Sequence, residues 1–358
     1  MDPQGAKKVQ VKMRGKSGPL LNNDTGCKQG DCLAPCLALF AIDAFFKKFE
    51  ELAQGVEGAG VKVELDGVVE ELLTVLFADD AMAMADRGSA LQGLADCLAL
   101  ASKYWGMPVN AQKTETMSKD IEREIAKEDG EQQVQARTQI TMGGQQIKNV
   151  VECTYLGTKV ATCGEHAEVA YRIGKAKRAF YLNSAVLCNR RLSLRVRKTL
   201  LSSLVLSVLF YGLESIGLTA DAVNRIENAQ SWMVRRMMWK KQIQRVSLKG
   251  MREKLRVTTA KSALVKRKML WMGKVYRCKK MASIRVKCFG KMVGRKRRRG
   301  TKSFLVEMQK MAAGIDQDWK AKIQKGAEWR KAVTEKTEVY QTDAERRREQ
   351  NKVKEAEE

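Results

Sequence analysis

The sequence predicts an α+β fold, and three observations support this class. In the first 160 or so residues, short segments alternate polar and apolar side chains between glycine-containing turns, which is typical of strands in hairpins. Two segments among them, Cys36–Glu50 and Ser89–Trp105, have the length and apolar content of helices. From Glu165 onward the helical pattern dominates. A strand-rich first half and a helical second half together make an α+β protein.

The elements of the first half follow from turn signals and periodicity. Hairpins or strand pairs are predicted where alternating segments flank a turn: residues 8–13 with Pro19–Asn22, the strand Val61–Leu65 before Asp66-Gly67, and Ile140–Met142 with Gln146–Val150 around Gly143-Gly144. Cys36–Glu50 is apolar almost throughout until Lys47, so we predict a largely buried helix. Ser89 is a candidate cap of the next helix, and residues 118–137 are predicted to be an exposed insert.

The second half is predicted to contain helices at roughly 165–188, 193–211, 221–239 and 258–278, with Ser193 and Thr219 as candidate caps. Gly294–Gly300 is a basic run in a predicted loop. After Thr334 the chain is almost devoid of apolar residues and is predicted to be a solvated helix or disordered.

Charge is unevenly distributed along the 358 residues, which carry a net charge of +25. Residues 50–90 hold ten acidic and two basic residues, whereas 261–310 hold eighteen Lys/Arg and one acid, Glu307. This asymmetry favours a polyanionic partner for the second half, with nucleic acid first and an acidic membrane surface second. No apolar stretch approaches the ~18 residues of a membrane span, and the first residues lack an apolar signal core, so we expect an intracellular protein.

Cysteine and histidine usage excludes several kinds of site. His166 is the one histidine, which largely excludes Ser-His-Asp catalysis and histidine metal centres. Nine cysteines without a regular framework favour reduced thiols. Cys27, Cys32 and Cys36 form the closest cluster, but a structural zinc site there would lack an obvious fourth ligand.

Asp79 and Asp80 are the most informative polar residues. They lie between two apolar runs, Leu72–Phe77 and Ala81–Ala85, which look like buried strands on either side of a tight turn. Two adjacent buried carboxylates repel each other and favour a cation, and Mg²⁺ prefers oxygen ligands of this kind. The alternative is a solvent-exposed hairpin turn, since Asp is common in turns.

Several motifs in order resemble the reverse transcriptase of non-LTR (LINE-type) retrotransposons. Four segments are similar to its palm motifs: Gly26–Pro35 with Leu39–Asp43 to motif B, Phe77–Asp80 to motif C, Trp105–Asn110 with Lys113-Thr114 to motif D, and Tyr155–Gly157 to motif E. Three later regions resemble its thumb and basic C-terminal segment: Arg172–Phe180, Phe210–Glu214 and Lys268–Val275, the last followed by Gly294–Gly300, Trp329-Arg330 and Val333. The resemblance covers about residues 8–335.

This resemblance implies a partial polymerase palm at 1–163, an antiparallel sheet with packed helices. It implies a helical thumb-like region at 164–255, a basic nucleic-acid-binding segment at 256–335 and a charged, disordered tail at 336–358. The implied activity is RNA-directed DNA polymerisation with two Mg²⁺ (or Mn²⁺) ions. The implied partners are an RNA template, a DNA primer and dNTP, with no membrane and an undefined oligomeric state.

The resemblance also implies residue roles. Asp79 would bind both metal ions, Asp80 would support it at the metal site, and Lys113 would lie near the triphosphate as a proton donor. The remaining roles are nucleotide and template contacts for Gln29 and Gly30, the primer grip for Tyr155, Leu156 and Gly157, and nucleic-acid contacts for Lys268, Trp271, Lys274, Arg295, Lys296, Arg297, Arg298 and Arg299, with Tyr276 beside them. The alternatives are a solvated Lys113, a simple strand end at Tyr155–Gly157 and a core position for Trp271.

One departure from the family pattern bears on activity. Motif A supplies a second essential aspartate well before motif B, but the upstream acids here are Asp2 and Asp24, and neither follows a suitable strand. The fingers are also missing. Cys32 and Ala34 stand where motif B usually has Pro and Ser, and the proline that the family's thumb usually has near Ser207 is absent. We therefore expect a truncated polymerase that is inactive alone.

A second function class stays open on the sequence. The helical half and the basic segment could form a non-catalytic RNA- or DNA-binding protein that is indifferent to Mg²⁺ and to Asp79. The Arg295–Arg299 cluster is compatible with either class and resembles a nuclear localisation signal, which predicts a nuclear protein.

Overall fold

The computed structural model describes residues 7–13, 15–23, 32–117, 139–162, 164–238, 247–278, 282–293, 304–340, 342, 346, 350 and 351. The chain divides into two compact units. The first comprises Met1–Gly60, Leu73–Ala111 and Ile140–Gln146, and the second comprises Val61–Leu72, Gln112–Gln139 and Ile147–Glu358. The described residues form helices and small, mainly antiparallel sheets. The predicted α+β class is therefore confirmed.

The described strands are short. They are β1 (Lys7–Met13), β2 (Lys16–Asn23), β3 (Val61–Leu65), β4 (Val68–Leu72), β5 (Thr74–Phe77), β6 (Asp80–Ala83), β7 (Glu115–Thr116), β8 (Thr141–Met142), β9 (Gln145–Gln146), β10 (Lys148–Asn149), β11 (Glu152–Tyr155), β12 (Thr158–Ala161) and β13 (Lys291–Met292). Antiparallel pairs are β1–β2, β5–β6, β8–β9 and β11–β12, while β13, β3 and β4 form a three-stranded antiparallel sheet and β7 pairs with β10 in parallel.

The helices carry most of the described residues. They are α1 (Ala34–Ala53), α2 (Gly88–Trp105), α3 (Glu165–Leu182), α4 (Ser184–Leu187), α5 (Leu194–Leu200), a π-helical segment (Leu201–Leu206), α6 (Ser207–Leu209), α7 (Ala220–Met238), α8 (Leu248–Leu255), α9 (Ala260–Arg277), α10 (Ala282–Phe289), α11 (Phe304–Ile315), α12 (Trp319–Gln324) and α13 (Gly326–Lys336). Within the described part of the chain, no helix has both the length and the apolar composition that crossing a bilayer requires.

In the first unit, α1 packs against α2 around a small aromatic core. Phe45, Phe46 and Phe49 are buried on one side, and Leu94 and Ala101 are buried on the other. The rings of Phe45 and Phe46 meet edge to face with centroids 5.1 Å apart, a favoured aromatic geometry. This core holds the two helices of the unit together.

In the second unit, two apolar clusters support the helices. One is formed by residues of α3 to α9, including the fully buried Phe180 and Met233, and the other by residues of α9 to α13. Trp329 is fully buried in the latter cluster, and its indole Nε1 donates to the carbonyl of Met269 at 2.9 Å. The buried indole therefore has the hydrogen-bond partner that it needs.

The local predictions for the hairpins and two caps are confirmed. Asp66-Gly67 and Gly143-Gly144 form two-residue turns with left-handed φ at both positions. Ser193 accepts a hydrogen bond from the amide of Val196 at the start of α5, and Thr219 accepts one from Ala222 at the start of α7. Turns and helix caps depend on residues that are neighbours in the chain, so they can be predicted from the sequence.

Three predictions about helices are wrong in part. The helix over Cys36–Glu50 exists as α1, but its first half is exposed rather than buried, with Phe40 at 75%. Ser89 does not cap α2, because this helix already begins at Gly88 without a side-chain cap. The helix predicted over 165–188 is interrupted at Asn183, and the one over 193–211 contains the π-helical segment.

The insert predicted at 118–137 and the basic loop Gly294–Gly300 lie outside the described residues. The domain boundaries at 163, 255 and 335 stay predictions. Thr337, just beyond the last of them, is buried, and its carbonyl accepts a hydrogen bond from Ser262.

Candidate functional site

Asp79 and Asp80 lie at the tip of a tight hairpin, as predicted. β5 and β6 pair in antiparallel register from Thr74 with Ala83 to Phe77 with Asp80, so Ala78 and Asp79 alone form the turn. Ala78 has a left-handed φ of +53°, which is unusual for a residue with a side chain and fixes the turn tightly. Asp79 therefore lies in the turn, and Asp80 begins the returning strand.

The strands of this hairpin are more exposed than predicted. Leu76 is 41% exposed and Phe77 is 62% exposed, and both aspartates are exposed. Within the described residues the hairpin is a two-stranded sheet without a third strand. The prediction of buried strands is wrong near the tip of the hairpin, whereas Leu73 and Ala85 at its base are partly buried against the core of α1 and α2. Water can solvate both carboxylates, so burial by itself creates no demand for a cation here.

The residues around this turn do not form a two-ion site by themselves. Two hard cations need a set of carboxylate and other oxygen ligands that bridges both ions. Among the described residues, no group of three or more His, Cys, Asp or Glu side chains could hold a metal ion. Asp79 and Asp80 can contribute to such a site, but they do not complete it.

The other predicted palm residues lie in different places. Gln29 and Gly30 lie outside the described residues. The end of motif B is described, and there Pro35 lies in the first turn of α1, where its missing N–H costs nothing. Lys113 is exposed in a turn of the second unit, two residues before β7. The roles of these residues stay predictions.

Tyr155, Leu156 and Gly157 lie at a second tight hairpin. Tyr155 pairs with Thr158, and the two residues between them turn the chain with φ of +47° at Leu156 and +75° at Gly157. Glycine adopts this conformation without cost, which explains its presence in the turn. The three predicted primer-grip residues are thus brought together on one turn of the second unit.

A buried ion pair on α3 holds this turn. Arg172 Nη2 donates to the carbonyl of Gly157 at 2.5 Å, and Arg172 Nε donates to Glu168 Oε1 at 2.5 Å. Glu168 Oε2 in turn accepts from the amide of Lys159 at 2.6 Å. Glu168 and Arg172 are 1% and 4% exposed. In the sequence, Arg172 is noticeable only through the family resemblance, and Glu168 was not predicted. Their spacing of four residues on one helix face is the signal that indicates the pair.

Tyr211 contacts the same turn from another side. Its Oη donates to the carbonyl of Leu156 at 3.0 Å, and its ring centroid lies 4.5 Å from Arg172 Cζ. Gly212 follows with a φ of +73°, and a Cβ on it would lie 2.8 Å from Thr158 Oγ1. The segment after α6 thus packs closely onto the hairpin.

The described residues of the predicted basic segment differ in exposure. Lys268 is 2% exposed and lies 3.6 Å from Glu307, so it does not face bulk solvent. The Trp271 ring packs against the rings of Phe289 and Phe304, with centroid distances of 5.4 Å and 6.2 Å. These contacts favour the alternative prediction, in which Trp271 is a core residue. Lys274 is exposed, whereas Arg295, Lys296, Arg297, Arg298 and Arg299 lie outside the described residues.

A surface that the sequence analysis missed combines aromatic rings and cations. We call it the aromatic–basic face; it consists of Lys177, Tyr181, Trp232 and Arg236 on α3 and α7. The Tyr181 and Trp232 rings lie 5.5 Å apart. Arg236 Cζ lies 5.8 Å from the first ring and 6.0 Å from the second, and Lys177 Nζ lies 5.9 Å from Trp232. Each helix contributes an aromatic and a cation four residues apart, which was the signal in the sequence.

Comparison with known proteins gives one finding for the first part of the chain. Residues 6–160 match a family model described as "Reverse transcriptase (RNA-dependent DNA polymerase)". The match includes the β5–β6 hairpin and the turn of the second hairpin, and it ends at residue 160, within β12. It supports a reverse transcriptase domain, a class of enzyme that uses a nucleic-acid template and primer, dNTP and, in general, divalent metal ions. No curated protein matches the chain.

Proposed function

We propose that this chain is part of a reverse transcriptase of the non-LTR (LINE-type) class, and that these 358 residues alone do not polymerise DNA. The reverse transcriptase match over residues 6–160 supports the general activity. The order of motifs across both halves supports the non-LTR class. The basic cluster Arg295–Arg299 supports a nuclear location, where such an enzyme would meet its DNA target.

One observation carries the proposal: two consecutive aspartates lie at a two-residue hairpin tip within the matched region. Asp79 lies in the turn itself, and Asp80 is the first residue of β6, opposite Phe77. A rigid tip of this kind presents carboxylate oxygens to a metal ion and a triphosphate without competition from neighbouring side chains.

The incomplete ligand set argues for inactivity. A two-metal centre needs carboxylates from two separate strand segments, and Asp79 and Asp80 both come from the single β5–β6 hairpin. Misplacing both ions removes the alignment of the attacking hydroxyl with the phosphate, and effects of that kind cost several orders of magnitude in rate. We therefore expect Asp79 to position metal ions only together with a carboxylate that this hairpin does not supply.

Primer extension tests the proposal directly. The purified 358-residue chain is incubated with a DNA primer on an RNA template, dNTP and Mg²⁺ or Mn²⁺. The Asp79→Asn variant is tested in parallel, with Asp96→Asn, an exposed aspartate on α2, as the matched control. We expect no extension by any of the three. Extension that is lost in Asp79→Asn and kept in Asp96→Asn would contradict the inactivity and establish Asp79 as catalytic.

A second candidate function rests on the aromatic–basic face. Tyr181 is 54% exposed, and Trp232 lies beside it, with Arg236 near both rings and Lys177 near Trp232. A single strand would stack a base on the exposed Tyr181 ring and place its phosphates near these cations. This face belongs to the second unit and needs neither Asp79 nor a metal ion. It supports non-catalytic binding of single-stranded RNA or DNA.

Fluorescence anisotropy with a labelled single-stranded RNA tests this second function. We expect the log of the affinity to fall with the log of salt concentration by about 0.7 per phosphate contact. Tyr181→Ala is expected to weaken binding by about 1–3 kcal/mol, because an exposed stacking platform is lost. Lys287→Gln, an exposed cation on α10, is the control. Equal losses in both variants would mean that the charge of the whole chain, rather than this face, holds the RNA.

A further inference from the structure

The second unit contains a cavity of about 1030 Å³. It is bounded by α7, α9, α11 and the segment that follows α13. Pockets that hold small organic ligands in proteins range from about 300 to 1,000 Å³, so this cavity is large enough for one. Its lining belongs neither to the Asp79 hairpin nor to the turn at Leu156.

Lys268 is a buried cation on the wall of this cavity. Its side chain is 2% exposed, and within the described structure its Nζ makes no hydrogen bond. Lys268 Nζ forms an ion pair with Glu307 Oε1 at 3.6 Å, and it lies 5.3 Å from the ring centroid of Phe304. This ion pair is too long for a hydrogen bond, and buried donors that lack an acceptor are costly. An acceptor inside the cavity would remove that cost.

The charges of the lining favour an anion. Its basic residues are Arg235, Lys261, Lys268, Lys336 and Arg346, and its acidic residues are Glu227 and Glu307. Glu227 already forms an ion pair with the buried Arg252, and its other carboxylate oxygen accepts from the amide of Lys261. The cavity therefore has a surplus of positive charge. A group with several charged oxygens uses such a surplus better than a single carboxylate does.

The rest of the wall suits the organic part of a ligand. Trp232, Leu264 and Met311 line the cavity together with the amides of Asn224 and Asn228. Mixed apolar and amide walls of this kind bind an unsaturated ring by packing and by hydrogen bonds to its edge.

We propose that this cavity binds a phosphate-bearing organic anion of about nucleotide size, with Lys268 donating to the phosphate. The inference does not depend on polymerase activity, since no residue of the Asp79 hairpin takes part. A free nucleotide and the 5′-phosphorylated end of a strand share this chemistry. Burial lowers the pKa of Lys268, against the opposing effect of Glu307, and an anionic ligand would favour its charged form.

Reductive methylation of the whole chain with formaldehyde and borohydride tests the proposal. An uncharged Lys268 Nζ attacks the aldehyde carbon, water leaves to form the imine, and borohydride reduces the C=N bond to a stable amine that mass spectrometry locates. A phosphate that accepts from Nζ keeps it protonated and covered, so a bound ligand protects Lys268 from methylation. Adenosine 5′-monophosphate and adenosine form the first matched pair of ligands, and Lys274, on the exposed side of the same helix, is the internal control.

We expect a 5′-phosphorylated ligand to lower the methylation rate of Lys268 at least about tenfold more than its counterpart without the phosphate, because the phosphate contributes to binding. Methylation of Lys274 should be the same with both ligands. Equal protection of Lys268 by the phosphorylated and unphosphorylated ligands, or no methylation of Lys268 in the free chain, would overturn the proposal. Lys336→Gln removes another cation of the cavity lining without touching Lys268, and we expect it to reduce the protection.

Competition distinguishes the two sources of the phosphate. Protection of Lys268 by adenosine 5′-monophosphate supports a free nucleotide. Protection by a 5′-phosphorylated oligonucleotide, and not by the same strand with a 5′-hydroxyl, supports a strand end. Protection by neither competitor would overturn the proposal. None of these outcomes depends on primer extension or on Asp79, so they are distinct from a failure of the proposed polymerase origin.

Discussion

Arg172 Nη2 donates a hydrogen bond to the carbonyl of Gly157 at 2.5 Å and thereby connects α3 to the turn between β11 and β12. The same guanidinium pairs with Glu168, and both side chains are almost fully buried. The turn that carries the predicted primer-grip residues is thus held by a helix of the region that follows it. Its geometry depends on a charge pair as well as on its own residues.

Removing Arg172 should strongly destabilise the chain. In Arg172→Met, Glu168 stays buried without its partner, which costs about 3–5 kcal/mol in the free energy of unfolding. Urea unfolding measures this loss. The control Arg178→Met changes an exposed arginine on the same helix and should alter stability by less than about 0.5 kcal/mol.

The double variant Glu168→Gln/Arg172→Met separates the pair from the packing. Because no unpaired charge remains in the double variant, we expect it to be more stable than Arg172→Met alone. If the double variant were less stable by the sum of the two single losses, the ion pair would not be the cause.

Gly212→Ala should also destabilise the contact between this hairpin and the helical region. Gly212 has a φ of +73°, and a Cβ would lie 2.8 Å from Thr158 Oγ1. Strain of this kind costs of order 1–3 kcal/mol. Thermal unfolding measures the loss. Gly174→Ala, in the middle of α3 with open space around it, should instead stabilise the chain by up to about 1 kcal/mol. A stabilising Gly212→Ala would contradict the left-handed backbone conformation at Gly212.

The sequence predicted those features that depend on neighbouring residues. The turns at Asp66-Gly67 and Gly143-Gly144 and the cap at Ser193 follow from the conformational preferences of the residues that form them. The tight turn at Asp79 was predicted for the same reason. Register then follows from the turn, so the pairing of Phe77 with Asp80 required no further information.

Burial was predicted less well, because it depends on which elements cover a surface. The apolar residues of α1 and β5 resemble a core in the sequence, yet Phe40 and Leu76 are exposed. Conversely, Lys268 looks like a surface lysine in a basic segment, but α11 covers it and supplies Glu307. Its burial arises from a contact between residues distant in the chain, which single-sequence periodicity does not contain.

The pH dependence of stability should reveal the buried Lys268. Burial lowers its folded-state pKa below the ordinary value of 10.5, which the unfolded chain retains. Between those two pKa values the unfolded chain binds more protons, so its contribution to the free energy of unfolding rises with pH. That contribution is complete above the unfolded pKa and is lost as the pH falls through the folded pKa.

Relative to Lys268→Met, the wild-type chain should therefore gain stability as the pH rises toward 10.5. Urea unfolding of both proteins at several pH values measures the difference and cancels the titration of other groups. Lys274→Met provides the comparison for loss of a lysine from the exposed side of α9. A difference between wild type and Lys268→Met that does not change with pH would mean that water reaches the ammonium group.

Exposed aromatic residues in the first unit should promote self-association. Phe40 on α1 and Phe77 on β5 are 75% and 62% exposed, and β5 is an edge strand among the described residues. Exposed apolar side chains beside an unpaired edge favour aggregation, and a lysine at such a position opposes it. Phe40→Lys and Phe77→Lys should therefore lower light scattering on concentration, while the thermal midpoint stays nearly the same. Phe49→Lys, at 1% exposure, is the contrasting variant and should lose more than about 3 kcal/mol. If Phe40→Lys unfolded the chain as Phe49→Lys does, Phe40 would belong to a core and α1 would be covered along its whole length.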